Sequence, residues 1–275
     1  MLNGLERGTD GIYSAAVPAL QDQSDEVRER EAVARRQCPD LLGEVSRHHS
    51  LAVMQREVRT FLTGIPRQGV VADIGGGWGW HWRHLRVERP DITVIVVDMV
   101  RDNLRLAVRI LGDLVNDQVF LVHGDATALP FPSEVFHGYW SVQALQHVPA
   151  FERAIREAHR ILRSSGRFAS YSLNRARLIE FVYRIMHRPY HLEGKRPGSF
   201  YLARSSAEQQ RIIESVFERP VVTRYSEVLF HPDLKLRTGS EASPFGKLDA
   251  RLSGGLPLLA YVARQRSYHV NRRAA

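Results

Sequence analysis

Apolar residues run almost unbroken through Ile92-Thr93-Val94-Ile95-Val96-Val97 before a single acid, Asp98. Such a run predicts a strand covered on both faces. Shorter β-branched runs predict companion strands at Val70–Ile74, Val119–His123, Gly138–Val142 and Arg167–Leu173. Between them the apolar spacing lengthens to that of a helix over Trp80–Val87, Asn103–Leu111 and Phe151–Leu162, the last placing Ala154, Ile155, Ala158, Ile161 and Leu162 on one face. Strands alternating with helices over about 110 residues predict an α/β fold with a parallel, doubly wound sheet.

The flanks read differently. Residues 1–65 are expected to be a helical cap. Within it, a charged helix spans Asp25–Gln37 and ends at Cys38-Pro39, since the residue before proline avoids helical geometry. A second helical stretch carries Leu42, Val45, Leu51, Val53, Met54, Val58, Phe61 and Leu62. The core occupies residues 66–174. Residues 175–203 hold an apolar helix (Leu178, Ile179, Phe181, Val182, Ile185, Met186) and then Pro189, Gly194, Pro197 and Gly198, read as a lid. Residues 204–275 complete the sheet, with a helix over Ser205–Phe217, a strand over Val221–Phe230, a Pro/Gly/Ser-rich loop over 231–256 and a closing strand over Leu258–Arg264.

Composition narrows this picture. With 275 residues, 44% of them hydrophobic, the chain can bury a full core. One cysteine, Cys38, forbids an intrachain disulfide and fits a cytoplasmic setting. No signal peptide is evident and no run approaches eighteen apolar residues, so no membrane partner is expected. The net charge of +8 would suit a nucleic-acid partner. Yet only Lys195, Lys235 and Lys247 of the 38 basic residues are lysines, and the arginines are scattered without a like-charge block. That skew reflects a GC-rich coding sequence, and no nucleic-acid partner is expected.

The candidate chemistry lies at the carboxyl ends of the strands, where open α/β sheets bind ligands. Strand Val70–Ile74 carries Asp73 and empties into Gly75-Gly76-Gly77-Trp78-Gly79. Glycines there let the backbone take positive φ and approach a ligand closely. The dinucleotide fingerprint would need a small residue at position 80, and Trp80 stands there. The loop therefore suits a nucleoside without a pyrophosphate. Asp98 follows Gly79 by 19 residues, where an acid can accept from both ribose hydroxyls; Asp125-Ala126 and the segment Ser141–His147 end the next two strands.

These residues resemble the class I S-adenosylmethionine-dependent methyltransferases, in particular the group typified by ubiquinone/menaquinone biosynthesis. Val71–Gly79 is similar to that family's first motif, Val97-Asp98 to its second, Gly124–Pro132 to the stretch with the adenine-contacting acid, Ser141–Val148 to the segment after strand four, and Glu157–Arg163 to the helix before strand five. The likeness covers residues 70–173. It departs at His137, where the family has an aspartate, and at Arg163-Ser164-Ser165-Gly166-Arg167, where it has Lys-Pro-Gly-Gly. The resemblance implies a Rossmann-like sheet of seven strands, the last antiparallel, and S-adenosylmethionine as cofactor. It implies that Asp73, Gly75, Gly76, Gly77, Trp78 and Gly79 form the methionyl side, that Asp98 binds ribose, and that Met99 packs on adenine. Asp125 with Ala126 would meet the adenine amino group, and the methyl would lie near Ser141, Val142 and Gln143.

The expected activity is methylation of an oxygen, nitrogen or carbon of a small molecule in bacterial secondary metabolism. A homodimer is compatible with this. Alternatives are an RNA or protein methyltransferase, which Ser141-Val142-Gln143-Ala144 in place of an Asn-Pro-Pro-Tyr-like tetrad disfavours, and a non-catalytic cofactor-binding subunit. His147 is the candidate general base, because an imidazole titrates near neutral pH. Tyr13, His48 and His49 could reach the acceptor. No metal site is expected, since adjacent histidines point to different helix faces.

Overall fold

In the computed structural model, which describes residues 2–15, 28, 31–32, 34, 39–188, 190, 204–232 and 240–273, nine strands join one sheet. They are β1 (Glu6–Arg7), β2 (Tyr13–Ser14), β3 (Val70–Ile74), β4 (Thr93–Asp98), β5 (Val119–His123), β6 (Phe136–Val142), β7 (Leu162–Leu173), β8 (Val222–Ser226) and β9 (Gln265–Asn271). Their spatial order is β1-β2-β5-β4-β3-β6-β7-β9-β8. The pairs from β2 through β5, β4, β3 and β6 to β7 are parallel, and β9 runs antiparallel between β7 and β8. The last strand is therefore antiparallel, as expected.

Six of these strands, β3 to β8, overlap expected ones; β9 follows the expected last strand instead of coinciding with it, and β1 and β2 are additions. Residues 2–15 were expected to be helical and instead fold into a short hairpin. Gly4 and Gly11 take φ of +100° and +76°, and the Asp10 carboxylate accepts from Ile12 N–H, local bonds that compete with a helix. Ser14 lies beside His123 on the edge of β5, and Arg101 clamps Asp10 at 2.7 Å. The charged helix expected over Asp25–Gln37 falls largely outside the described residues; Arg28, Glu31, Ala32 and Ala34 are helical.

Eight helices are described: α1 (Leu41–His48), α2 (Leu51–Leu62), α3 (Leu85–Glu88), α4 (Arg101–Leu111), α5 (Phe151–Ile161), α6 (Arg177–Ile185), α7 (Ser206–Phe217) and α8 (Pro244–Leu252). Asp40 caps α1 through Gly43 N–H at 2.8 Å, and Ser205 caps α7 through Glu208 N–H at 3.2 Å. The continuous run in β4 explains the layering, because its alternate side chains enter two cores. Val94 and Val96 pack with Met54, Val58 and Phe61 of α2 and with Leu104 and Ala107 of α4. Ile95 and Val97 face the other way, into a cluster with Ile155 and Ala158 of α5 and Ile213 and Phe217 of α7. No helix among the described residues is long and apolar enough to cross a membrane.

Several boundaries depart from expectation. The helix expected over Trp80–Val87 is a 3-10 turn, Trp80–Trp82, followed by the single turn α3. The strand expected over Val221–Phe230 ends at Ser226, where Glu227 takes φ +56° and turns the chain. The loop 231–256 contains α8. Leu258–Arg264 is not the closing strand: Pro257–Tyr261 is a 3-10 turn with Pro257 in its first turn, and the strand follows as β9. A short apolar run does not separate strand from helix, and here Leu258 is 77% exposed, which no central strand would allow.

Candidate active site

Strand β3 is where the strand order reverses, with β4 on one side and β6 on the other. A crevice must open beyond its carboxyl end. A cavity of about 520 Å³ lies there, lined from Gly75, Gly76, Gly77 and Trp78, from Asp98, Met99, Val100 and Asn103, from Gly124, Asp125 and Ala126, and from Val142 to Leu145. His147 and Val148 complete this side.

The glycine loop is held from behind. Gly75 N–H donates to Val97 O at 2.7 Å, and a Cβ on Gly75 would stand 2.1 Å from Ala144 Cβ. Gly79, also at positive φ, would meet Leu111 Cδ1 at 2.8 Å. Gly77 differs: a Cβ there would meet nothing nearer than Asp98 Oδ2 at 3.9 Å, so it would project into the cavity. Asp73 lies beneath the loop, fully buried, with Trp82 Nε1–H donating to Oδ2 at 2.7 Å. Burial pushes its carboxyl up to about 7, and the nearby charge of Asp98 adds to the rise. Asp73, Gly79 and the fully buried Ser141 are not on the cavity wall; they support it.

Asp98 ends β4 with its carboxylate fixed by two backbone donors, Gly77 N–H at 2.9 Å and Val100 N–H at 2.8 Å. Asn103 Nδ2–H also reaches Oδ1, at 3.4 Å. Asp125 is held by Thr127, whose N–H and Oγ1–H reach its two oxygens at 2.8 and 2.7 Å. Met99 and Ala126 lie beside these acids on the wall. Trp78 Nε1–H donates to Asn103 Oδ1 at 3.1 Å, which ties the loop to α4.

Beyond β6, Gln143 adopts φ +51°, a strained conformation for a side-chain-bearing residue, with its N–H bonded to Tyr171 O at 2.8 Å. His147 sits on the 3-10 turn Leu145–His147. Its Nε2 is 3.1 Å from Gln146 Nε2, while Gln146 Oε1 accepts from Leu173 N–H at 2.8 Å. That second bond fixes the amide, so the His147 Nε2 is an acceptor and its ring proton sits on Nδ1.

The opposite wall comes from outside the core. Glu44, Val45 and His48 of α1, with His49, close one side, and Arg264 closes another. His48 and His49 thus meet the cavity, as expected. Tyr13 does not, since it packs on Phe120 at the sheet edge. None of the lining residues comes from 175–188 or from Tyr190; Tyr183 and Tyr190 pack edge to face at 5.2 Å. The rest of the expected lid, residues 191–203, lies outside the described residues. No group of three His, Cys, Asp or Glu side chains suited to a metal occurs among the described residues.

Sequence reasoning missed four residues. Glu44 and Arg264 reach the cavity only through the tertiary fold. Gln146 orients His147 by a bond to a strand distant in sequence. His81, two positions past the glycines, was legible as a polar residue in an aromatic and glycine run. The departure at His137 also finds its use: its Nδ1 accepts from Val70 N–H at 3.0 Å and pins the start of β3.

The residues fit an adenosyl cofactor. A backbone-anchored acid at the end of the second core strand, an open glycine and a second buried acid on the third are the donors and acceptors that such a nucleoside requires. Residues 72–170 match the model of a methyltransferase domain. The ubiquinone/menaquinone biosynthesis C-methyltransferase of Methylobacterium nodulans is 35% identical over 97 residues, 35% of this chain and 38% of that protein. The malonyl-[acyl-carrier protein] O-methyltransferase of Methylococcus capsulatus is 31% identical over 169 residues, 59% of each. The chain therefore spans between about two fifths and three fifths of these relatives' lengths. In fold it is similar to geranyl diphosphate C-methyltransferase from Streptomyces coelicolor, with TM-score 0.59 at 14% identity, covering 94% of this chain and all of the other. The matched motifs and the fold around them are those of a class I S-adenosylmethionine-dependent methyltransferase domain, carried by residues 72–170.

Proposed function

We propose that the protein transfers a methyl group from S-adenosylmethionine to an oxygen, nitrogen or carbon of a small-molecule acceptor. The observation that carries this reading is the cavity itself: about 520 Å³, lined both by the strand-end acids and by α1 and Arg264. That volume suits a nucleoside cofactor with a modest acceptor rather than a polymer. The relatives named above are named for ubiquinone/menaquinone biosynthesis, malonyl-[acyl-carrier protein] and geranyl diphosphate, and the first and last of these support a small organic acceptor here. Secondary metabolism in the bacterial cytoplasm fits the arginine-rich composition.

Asp98 would bind the ribose hydroxyls, Met99 would pack on the adenine, and Asp125 with Ala126 would meet its amino group. Gly75, Gly76, Gly77 and Trp78 would face the methionyl side. Val142 and Gln143 would border the transferred group. When bound, the cofactor supplies a methyl carbon already activated by its sulfonium. The protein's task is then to align the acceptor and exclude water. His147 would take the acceptor's proton after giving up its bond from Gln146.

Calorimetric titration with S-adenosylhomocysteine tests the reading. Wild-type protein should bind, and Asp98→Ala should lose about 1–3 kcal/mol, the cost of removing charge-assisted bonds. Absence of binding at millimolar concentration would refute the cofactor assignment. With an acceptor found by screening phenols, quinols and carboxylates against labelled cofactor, His147→Ala should lower turnover about 10²- to 10⁴-fold at neutral pH. An unchanged pH–rate profile would remove the base role.

A further inference from the structure

His81 lies on the turn that follows the glycine loop, forms part of the cavity wall and is 5% exposed. Its ring is stacked on Trp80, with centroids 3.9 Å apart, and stands edge-on to Trp140 at 6.0 Å. Neither ring nitrogen has a hydrogen-bond partner. Along its own segment the polar groups are committed: Trp78 Nε1 to Asn103, Trp82 Nε1 to Asp73, the Arg83 guanidinium to Trp80 O and Glu241, and His84 Nε2 to Glu241; Trp140 Nε1, across the ring, has no partner either. A buried polar group without a partner is costly. An apolar residue would fill the same slot between two indoles without that cost.

The loop around His81 also lacks something that the family's chemistry needs. The turn Trp80–Trp82 is only three residues long, too short for aligned peptide dipoles to attract an anion. The α-amino-acid group of S-adenosylmethionine is zwitterionic, and the glycines at 75–77 bring backbone but no side chain toward it. A neutral imidazole carries one donor and one acceptor, which match a carboxylate and an ammonium. Burial keeps this ring neutral, its pKa pushed down to about 3.

We propose that His81 hydrogen-bonds the α-amino-acid group of the cofactor and so discriminates S-adenosylmethionine and S-adenosylhomocysteine from nucleosides that lack it. This rests on the assignment of the cavity as the cofactor site.

The test compares two probes by calorimetry, S-adenosylhomocysteine and 5′-methylthioadenosine, which keeps the adenosine and sulfur but has neither amino nor carboxyl group. Wild-type protein should prefer the former. His81→Phe, which preserves the stack, should weaken S-adenosylhomocysteine binding about 10- to 100-fold and leave methylthioadenosine within about twofold. His81→Gln, which keeps a donor and an acceptor, should recover part of that loss. The melting temperature of unliganded His81→Phe should equal or exceed that of wild type, because no bond is lost. Equal weakening of both probes would make His81 a packing residue and overturn the proposal. Unchanged affinity for both would overturn it as well and assign the ring to the acceptor. If wild-type protein binds neither probe, the cofactor assignment fails first and this proposal with it.

Discussion

Asp73 sits under the glycine loop without access to water, and its carboxyl holds a proton up to about pH 7. An unfolded chain releases that proton near the ordinary carboxylate value. Between those limits the folded state binds more protons than the unfolded one, so this residue makes stability fall as pH rises from about 4 to about 7. Asp73→Asn keeps an acceptor for Trp82 and removes the titration. Urea midpoints measured at pH 4.5 and 7.5 should therefore differ less in the variant; an equal difference would show that Asp73 is not the titrating group. At this scale the sequence was informative wherever chemistry restricts the residue type. Asp98 and Asp125 stand at strand ends, where open α/β sheets bind ligands. Gly75 and Gly79 are required by Ala144 and Leu111. His81 stayed hidden because the lack of a partner is a property of three-dimensional packing.

The start of α2 is tied to the end of β8 by one side chain. Glu227 is fully buried at φ +56°; its Oε1 accepts from Ser50 N–H at 2.8 Å, and its Oε2 pairs with Arg264 at 2.5 Å. The lining residue Arg264 and the residue beside the lining His49 thus share a single carboxylate. Glu227→Ala would leave the Arg264 guanidinium and the Ser50 amide without that partner, and should destabilise the fold by about 3–5 kcal/mol in urea unfolding. A loss below about 1 kcal/mol would mean the tie carries little. The alternation of strands and helices in the core was legible because burial on both faces forces long β-branched runs. The flanking elements were not. Leu258–Arg264 is apolar yet exposed in part, and residues 2–15 gain their strand character only from the edge of β5 that they meet.

Across the whole molecule, one part of the cavity is built by consecutive strands of the core, and the rest by segments distant in sequence. Residues 72–170 carry the recognisable domain. Glu44, His48, His49 and Arg264 reach the same cavity from the two flanks. Local pattern therefore determines half of the site, while the other half depends on how the flanks dock. The hairpin β1–β2 has a separate consequence, for association between molecules. It pairs with Val122 and His123, so the sheet ends on that side in a strand of two residues, a poor template for another chain. Removing residues 2–14 would bare the row of amides and carbonyls along β5. The trimmed protein should keep its cofactor affinity but self-associate, visible as a rising scattering mass with concentration, and a monodisperse product would show that the edge is guarded by something else.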